Sequence, residues 1–194
     1  MQVKYKKIGL DFDGTMIDHS ETIIDLAKAE GVLLEKAQTN SNVWSNFIPK
    51  KLKESIQEEI YSIRTFDAVF FDDAVDTIKE LINKYRDLYI VCARRDGHEK
   101  YALEYLTKER FFEKTGFKEN NIIFTADTGS KIQKILDMRL DWYLDDKIQV
   151  AEKVNEFSTG AFFDNYNLAR EQKIIVNSGI PILSSWKEVG ATLL

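Results

Sequence analysis

Beyond residue 73 the chain alternates short apolar runs with stretches of helical period, and few folds accept that alternation. Ala74, Val75, Ile78, Leu81, Ile82 and Tyr85 recur at helical spacing, with Asp73 in the N-cap position. Leu88-Tyr89-Ile90-Val91-Cys92 is a continuous apolar run, as in a strand covered on both faces. Asp96-Gly97-His98-Glu99 reads as a capping box, opening a helix with Tyr101, Ala102, Tyr105 and Leu106 on one side. Further strands are expected at 121–124, 141–145 and 161–163. Ile132, Ile135 and Leu136 mark one intervening helix, and Ile148, Ala151 and Val154 the next. Strands alternating with helices predict an α/β fold with a doubly wound parallel sheet.

The first crossover is too long for that scheme. Lys6-Lys7-Ile8-Gly9-Leu10 reads as a buried strand, yet Asp11 and Cys92 lie 81 positions apart, where a βαβ unit needs about 30 residues. The surplus, residues 18–72, is helical in pattern from Thr22 to Glu30 and from about Trp44 to Ile63. It is expected to form a small helical cap inserted after the first strand. The core would then comprise residues 1–17 and 73–194.

Composition narrows the function. A net charge of -5 gives no basic footprint for nucleic acid. No apolar run approaches the ~18 residues of a membrane span. The single cysteine, Cys92, excludes an internal disulfide and fits a reducing compartment. Residues 1–7 leave no room for the apolar region of a signal peptide before the first strand, so a cytoplasmic protein is expected. Oligomeric state has no signature in the chain.

The chemistry concentrates at strand ends, where open α/β sheets bind ligands. Asp11-Phe12-Asp13-Gly14-Thr15 closes the first strand. Asp13-Gly14 alone could be a turn pair, but a turn does not account for Asp11, and buried carboxylates are costly without a cation or hydrogen bonds. Cys92-Ala93-Arg94-Arg95 follows the second strand, Lys131 precedes the fourth, and Asp145-Asp146 ends it. Lys134, one turn along, is the alternative to Lys131. His19 and His98, near predicted helix starts, are expected to be ordinary surface residues, and nothing resembles a zinc site.

This order of motifs resembles the haloacid dehalogenase-like (HAD) phosphohydrolase superfamily over residues 5–165, which implies a Rossmann-like core and a set of roles. Asp11 would be the nucleophile, forming an aspartyl-phosphate. Asp13 would be the general acid and then base, which requires a raised pKa; neighbouring carboxylates are expected to supply it. Lys131 would neutralise negative charge on Asp11 and on the phosphoryl group. Mg²⁺ would be held by the Asp11 and Asp145 side chains and the Asp13 carbonyl, with Asp146 on a metal-bound water. Cys92, Ala93 and Arg94 would face the substrate phosphate, although Arg94 reads equally well as a surface residue. Cys92 departs from the family, which carries Thr or Ser there. A thiol donates weakly, and losing a charge-assisted hydrogen bond costs about 1.5–3 kcal/mol. Backbone N–H groups offer an alternative phosphate clamp.

Phe163-Asp164-Asn165-Tyr166-Asn167 and Ser185-Trp186-Lys187-Glu188-Val189 resemble the tail of the 5′(3′)-deoxyribonucleotidase branch, without its usual Arg and Pro. The branch implies nucleoside monophosphates, with Trp44, Phe47, Tyr61 and Phe66 available to stack a base or to form the cap's core. Two other readings stay open. One is a phosphatase of another small phosphorylated metabolite. The other is a phosphate-binding or scaffold protein weakened by Cys92.

Overall fold

The computed structural model describes residues 5–85 and 87–194. Residues 1–4, part of the segment expected to leave no room for a signal peptide, lie outside the described residues. β1 (Lys7–Leu10) runs into the Asp11–Gly14 turn, and β2 (Ile17–Asp18) leads out to α1 (Ser20–Ala29). α2 (Lys50–Tyr61) follows, and β3 (Val69–Phe70) returns the chain to the core. Then come α3 (Ala74–Lys84), β4 (Asp87–Ala93), α4 (Glu99–Lys108) and α5 (Phe111–Thr115). β5 (Ile122–Thr125), α6 (Thr128–Met138), β6 (Trp142–Asp145) and α7 (Ile148–Asn155) complete the alternation. β7 (Thr159–Phe163), β8 (Ile182–Leu183) and α8 (Trp186–Leu193) close the chain.

Six strands form one parallel sheet in the order β5-β4-β1-β6-β7-β8. Its faces bury separate apolar clusters, as a doubly wound sheet must. One joins Ile8 and Leu10 to Ile78, Leu81, Trp186 and Val189. The other joins Val91 and Tyr143 to Ile135, Val150 and Val154. The expected α/β architecture is therefore present. β8, with two residues, and α5, with five, carry too few periodic residues to register, and β2, β3 and α8 were likewise not expected.

Between β2 and β3 the chain has a small core of its own, with Ile23, Ala27, Trp44, Ile48, Ile56 and Ile60. Its stems pair antiparallel, Ile17 with Phe70 and Asp18 with Val69, and so anchor this helical segment beside the first turn. The expected helix from Trp44 begins later. Trp44–Asn46 is a 3₁₀ turn and Pro49 caps α2, because proline lacks the N–H a helix interior needs. Asp96 is not a cap either: α4 starts at Glu99 with His98 at its N-cap.

Candidate active site

The parallel sheet places the C-terminal ends of β1, β4 and β6 along one edge, and the predicted acids meet there. Asp11, Asp145 and Asp146 are all buried, with ligand oxygens within 4.8 Å of one another. Lys131, in the first turn of α6, reaches both flanking acids. Its Nζ lies 2.7 Å from Asp11 Oδ1 and 2.7 Å from Asp145 Oδ2. Lys134 is exposed. Burial opposes charge on Lys131, but Asp11 and Asp145 outweigh it and hold the ammonium well above its ordinary range.

Three buried carboxylates against one ammonium leave negative charge uncompensated. Burial and the Asp145 charge raise the Asp11 carboxyl well above the usual range, and together they push Asp146 up to about 6. Asp146 is nevertheless gripped on three sides. Its N–H donates to Thr15 Oγ1 at 3.0 Å, Ser41 Oγ donates to Oδ2 at 2.7 Å, and Asn42 Nδ2 donates to its carbonyl at 2.7 Å. Oδ1 is buried with no partner. An orphaned buried oxygen in an all-oxygen cluster fits a hard divalent cation such as Mg²⁺. Gly14 makes the turn possible: its φ is +79°, and a Cβ there would lie 2.6 Å from Asp146 Oδ2.

Asp13 departs from expectation. It faces away from the acid cluster, so no carboxylate raises its pKa. Arg94 grips it with both arms, Nη2 to Oδ1 at 2.6 Å and Nε to Oδ2 at 2.9 Å. His19 Nε2 adds a contact to Oδ1 at 2.8 Å, and the Cys92 thiol donates to Oδ2 at 3.2 Å. Burial alone would raise this carboxyl, but Arg94 and His19 overcome it and hold Asp13 well below the ordinary carboxylate range. Arg94 is no surface residue: its side chain is wholly buried. It also donates to the Tyr61 carbonyl at 3.2 Å and to Thr65 Oγ1 at 3.1 Å, which ties β4 to the helical segment. His19 is likewise buried rather than superficial. Ala93 ends β4 and lines a smaller cavity with Asp127 and Thr128.

A cleft of about 440 Å³ opens over Asp13, Gly14 and Asp146, between the helical segment and the sheet edge. Asp11, Lys131 and Asp145 are not among its lining residues but join it through Asp146, whose ligand oxygen lies within 4.8 Å of those of Asp11 and Asp145. Of the four aromatics considered for base stacking, Trp44 is buried with Lys53 Nζ 5.1 Å over its ring. Phe66 packs on Tyr101, and Phe47 is outside the cleft. Only Tyr61 lines the cleft with a partly exposed ring. His19, Ser41 and Asn42 were not read as site residues. The short polar run Thr39-Asn40-Ser41-Asn42, between two helical stretches, was the available signal for the last two.

The topology and this site invite comparison with known proteins. A "Putative haloacid dehalogenase-like hydrolase" of Bacteroides fragilis superposes with a TM-score of 0.64 at 14% identity, covering 96% of this chain and all of that one. The fold is that of the haloacid dehalogenase-like hydrolases. A second HAD-fold protein, a "putative HAD-hydrolase" of Bacillus subtilis solved bound to magnesium, superposes at 0.61 with 16% identity over 97% of this chain and 98% of its own. In sequence, a "Putative nucleotidase" of Bacillus cereus is 26% identical over 187 residues, 95% of this chain and 82% of that one. No protein-family profile matches this chain. Among the described residues, no helix of this HAD fold is long and apolar enough to cross a membrane.

Proposed function

We propose that the protein is a Mg²⁺-dependent cytoplasmic phosphomonoester hydrolase. It forms an aspartyl-phosphate on Asp11 and acts on nucleoside monophosphates. Residues 18–72 act as a cap over a core made of 1–17 and 73–194. The observation that carries the reading is Lys131 Nζ, 2.7 Å from both Asp11 and Asp145 at the buried acid cluster. A lysine there lets a carboxylate nucleophile and a phosphate dianion approach each other. The similarity to a protein called a nucleotidase, and the tail around Asp164–Asn167, support the nucleotide class.

An oxygen of Asp11 attacks phosphorus, and the ester P–O bond breaks with its electron pair on the leaving oxygen. Water then attacks the same phosphorus, which frees Asp11 and inorganic phosphate. The leaving oxygen takes up one proton and the attacking water gives one back, so a single group can serve both steps. Asp11, Asp145 and the Asp13 carbonyl would hold Mg²⁺, with Asp146 on a bound water, and the ion would supply charge neutralisation at the phosphoryl oxygens. Lys131 holds Asp11 in place and shields its charge. Asp13 is the proton carrier implied by the resemblance, yet here it is an ionised acceptor. Arg94 has to withdraw from it before it can carry a proton. Ala93 N–H, with Arg94 once released, serves the phosphate.

Asp11→Asn is the deciding experiment. Hydrolysis of 4-nitrophenyl phosphate and of a nucleoside monophosphate panel, with Mg²⁺ present, should disappear while the circular dichroism spectrum is retained. Undiminished turnover in that variant would remove the nucleophile. Hydrolysis of other phosphomonoesters without nucleotides would leave the mechanism standing and overturn the substrate class.

A further inference from the structure

The charges lining the cleft do not balance one by one. Its three carboxylates all have partners: Asp13 has Arg94 and His19, Asp18 has Lys36 at 3.1 Å, and Asp146 has Ser41. Two lysines on the same walls form no ion pair among the described residues. Lys53 extends from α2 on the cap side, and Lys147 follows Asp146 on the core side. Lys53 Nζ rests over the Trp44 ring and donates to Ser45 Oγ at 2.7 Å. Trp44, lining the same wall, keeps a buried Nε1–H with no acceptor.

Neither lysine is in an ion pair among the described residues, and although the Lys147 charge also acts on Asp146, two ammonium groups lining one cavity repel each other. Partial burial and the Lys147 charge lower the Lys53 ammonium from its ordinary value. An anion between them would relieve both effects. The cleft thus carries a cation on each side, Lys53 on α2 and Lys147 beside Asp146, and Lys53 already covers the Trp44 ring.

We propose that the cleft takes a phosphomonoester carrying a second anionic group, a phosphate or a carboxylate, held between Lys53 of the cap and Lys147 of the core. This rests on the phosphatase reading and deepens it: the reacting phosphate goes to the Asp11–Lys131 end and the second anion to the lysine pair. Among nucleotides, those with two separate phosphates fit better than simple monophosphates.

The test is a ratio of kcat/KM within matched pairs, in which basal turnover cancels. Adenosine 3′,5′-bisphosphate is compared with adenosine 5′-monophosphate, and fructose 1,6-bisphosphate with fructose 6-phosphate. For a carboxylate, 3-phosphoglycerate is compared with glycerol 3-phosphate. At least one ratio should lie in the range of about tenfold to a hundredfold, as for a charge-assisted contact. The arm that responds identifies the second anion. Lys53→Gln and Lys147→Gln should each bring that ratio towards one, and Lys53→Arg should retain most of it. Ratios near one in every pair, with the monophosphates hydrolysed, would overturn the inference and leave the phosphatase standing. So would an equal loss on both members of a pair, which would put the lysines on the reacting phosphate. If nothing is hydrolysed, calorimetric titration of the intact protein with the same pairs decides. Tighter binding of the dianionic-plus-anionic member would preserve the inference without the phosphatase, and equal binding would overturn both.

Discussion

The Cys92 thiol spends its one donor on Asp13 Oδ2, 3.2 Å away, and so answers a question the motif left open. The sequence suggested a hydroxyl's place on the substrate phosphate; the thiol instead helps hold a carboxylate. Burial and the nearby Asp13 charge raise its pKa well above the ordinary thiol value, so it stays S–H at neutral pH. The native protein should therefore resist iodoacetamide at pH 8 and react once unfolded, as mass spectrometry would record. Rapid labelling of the native state would contradict this burial. Cys92→Val should cost about 1–2 kcal/mol in urea denaturation, since it leaves the carboxylate one donor short. Cys92→Ser keeps a donor to the same oxygen, so any gain from it acts first on the grip on Asp13.

Between elements, the decisive contacts join the β2–β3 helical segment to strand ends. Arg94, one residue past β4, links Asp13 in the first turn to Tyr61 at the end of α2 and to Thr65. Removing one partner of a buried ion pair strands the other charge. Arg94→Ala should thus destabilise by about 3–5 kcal/mol. Arg94→Lys should recover only part of that, because an ammonium lacks the planar fork that matches both carboxylate oxygens. Equilibrium denaturation of the two variants checks both statements. The second tie is Asn42, which donates to the Asp146 carbonyl and accepts from the Ile148 N–H at 3.0 Å. Asn42→Ala should lose about 1–3 kcal/mol and speed amide exchange over residues 40–43. Unchanged exchange there would mean the latch does not hold the segment down.

For the molecule as a whole, the acid cluster sets a pH dependence with a definite sign. Asp146 titrates near 6 in the fold and Asp11 well above its usual value, against about 4 for unfolded carboxylates. Groups raised in this way destabilise the native state above their unfolded pKa, and the loss is recovered as pH falls through the folded value. Asp13 is lowered, and its contribution fades only below the ordinary carboxylate range. Between pH 8 and pH 5 the cluster therefore governs this balance. In EDTA the melting temperature should rise by a few degrees across that interval on acidification. Mg²⁺ at pH 8 should raise it and flatten the profile, by binding the native state and neutralising the same carboxylates. A flat or falling profile in EDTA, indifferent to Mg²⁺, would remove the metal site.

Local pattern was enough for five of the sheet's six strands and for the acids at their ends. Strand and helix periods report burial along the chain, and in a parallel sheet the strand ends share an edge. Asp11, Asp145 and Asp146 could therefore be grouped before any contact was known, while Lys131, in the first turn of α6, joined them only through the family resemblance. Tertiary structure alone decided the environment of Asp13. Its partners Cys92 and Arg94 lie 79 and 81 residues away, and nothing near Asp13 in the chain distinguishes an acid among acids from one clamped by arginine. The grip of Ser41 on Asp146 spans 105 residues, and the covering of Trp44 by Lys53 depends on how α2 packs behind Pro49. Periodicity records which side of an element is buried; which remote charge meets it there is set by how the separate elements dock.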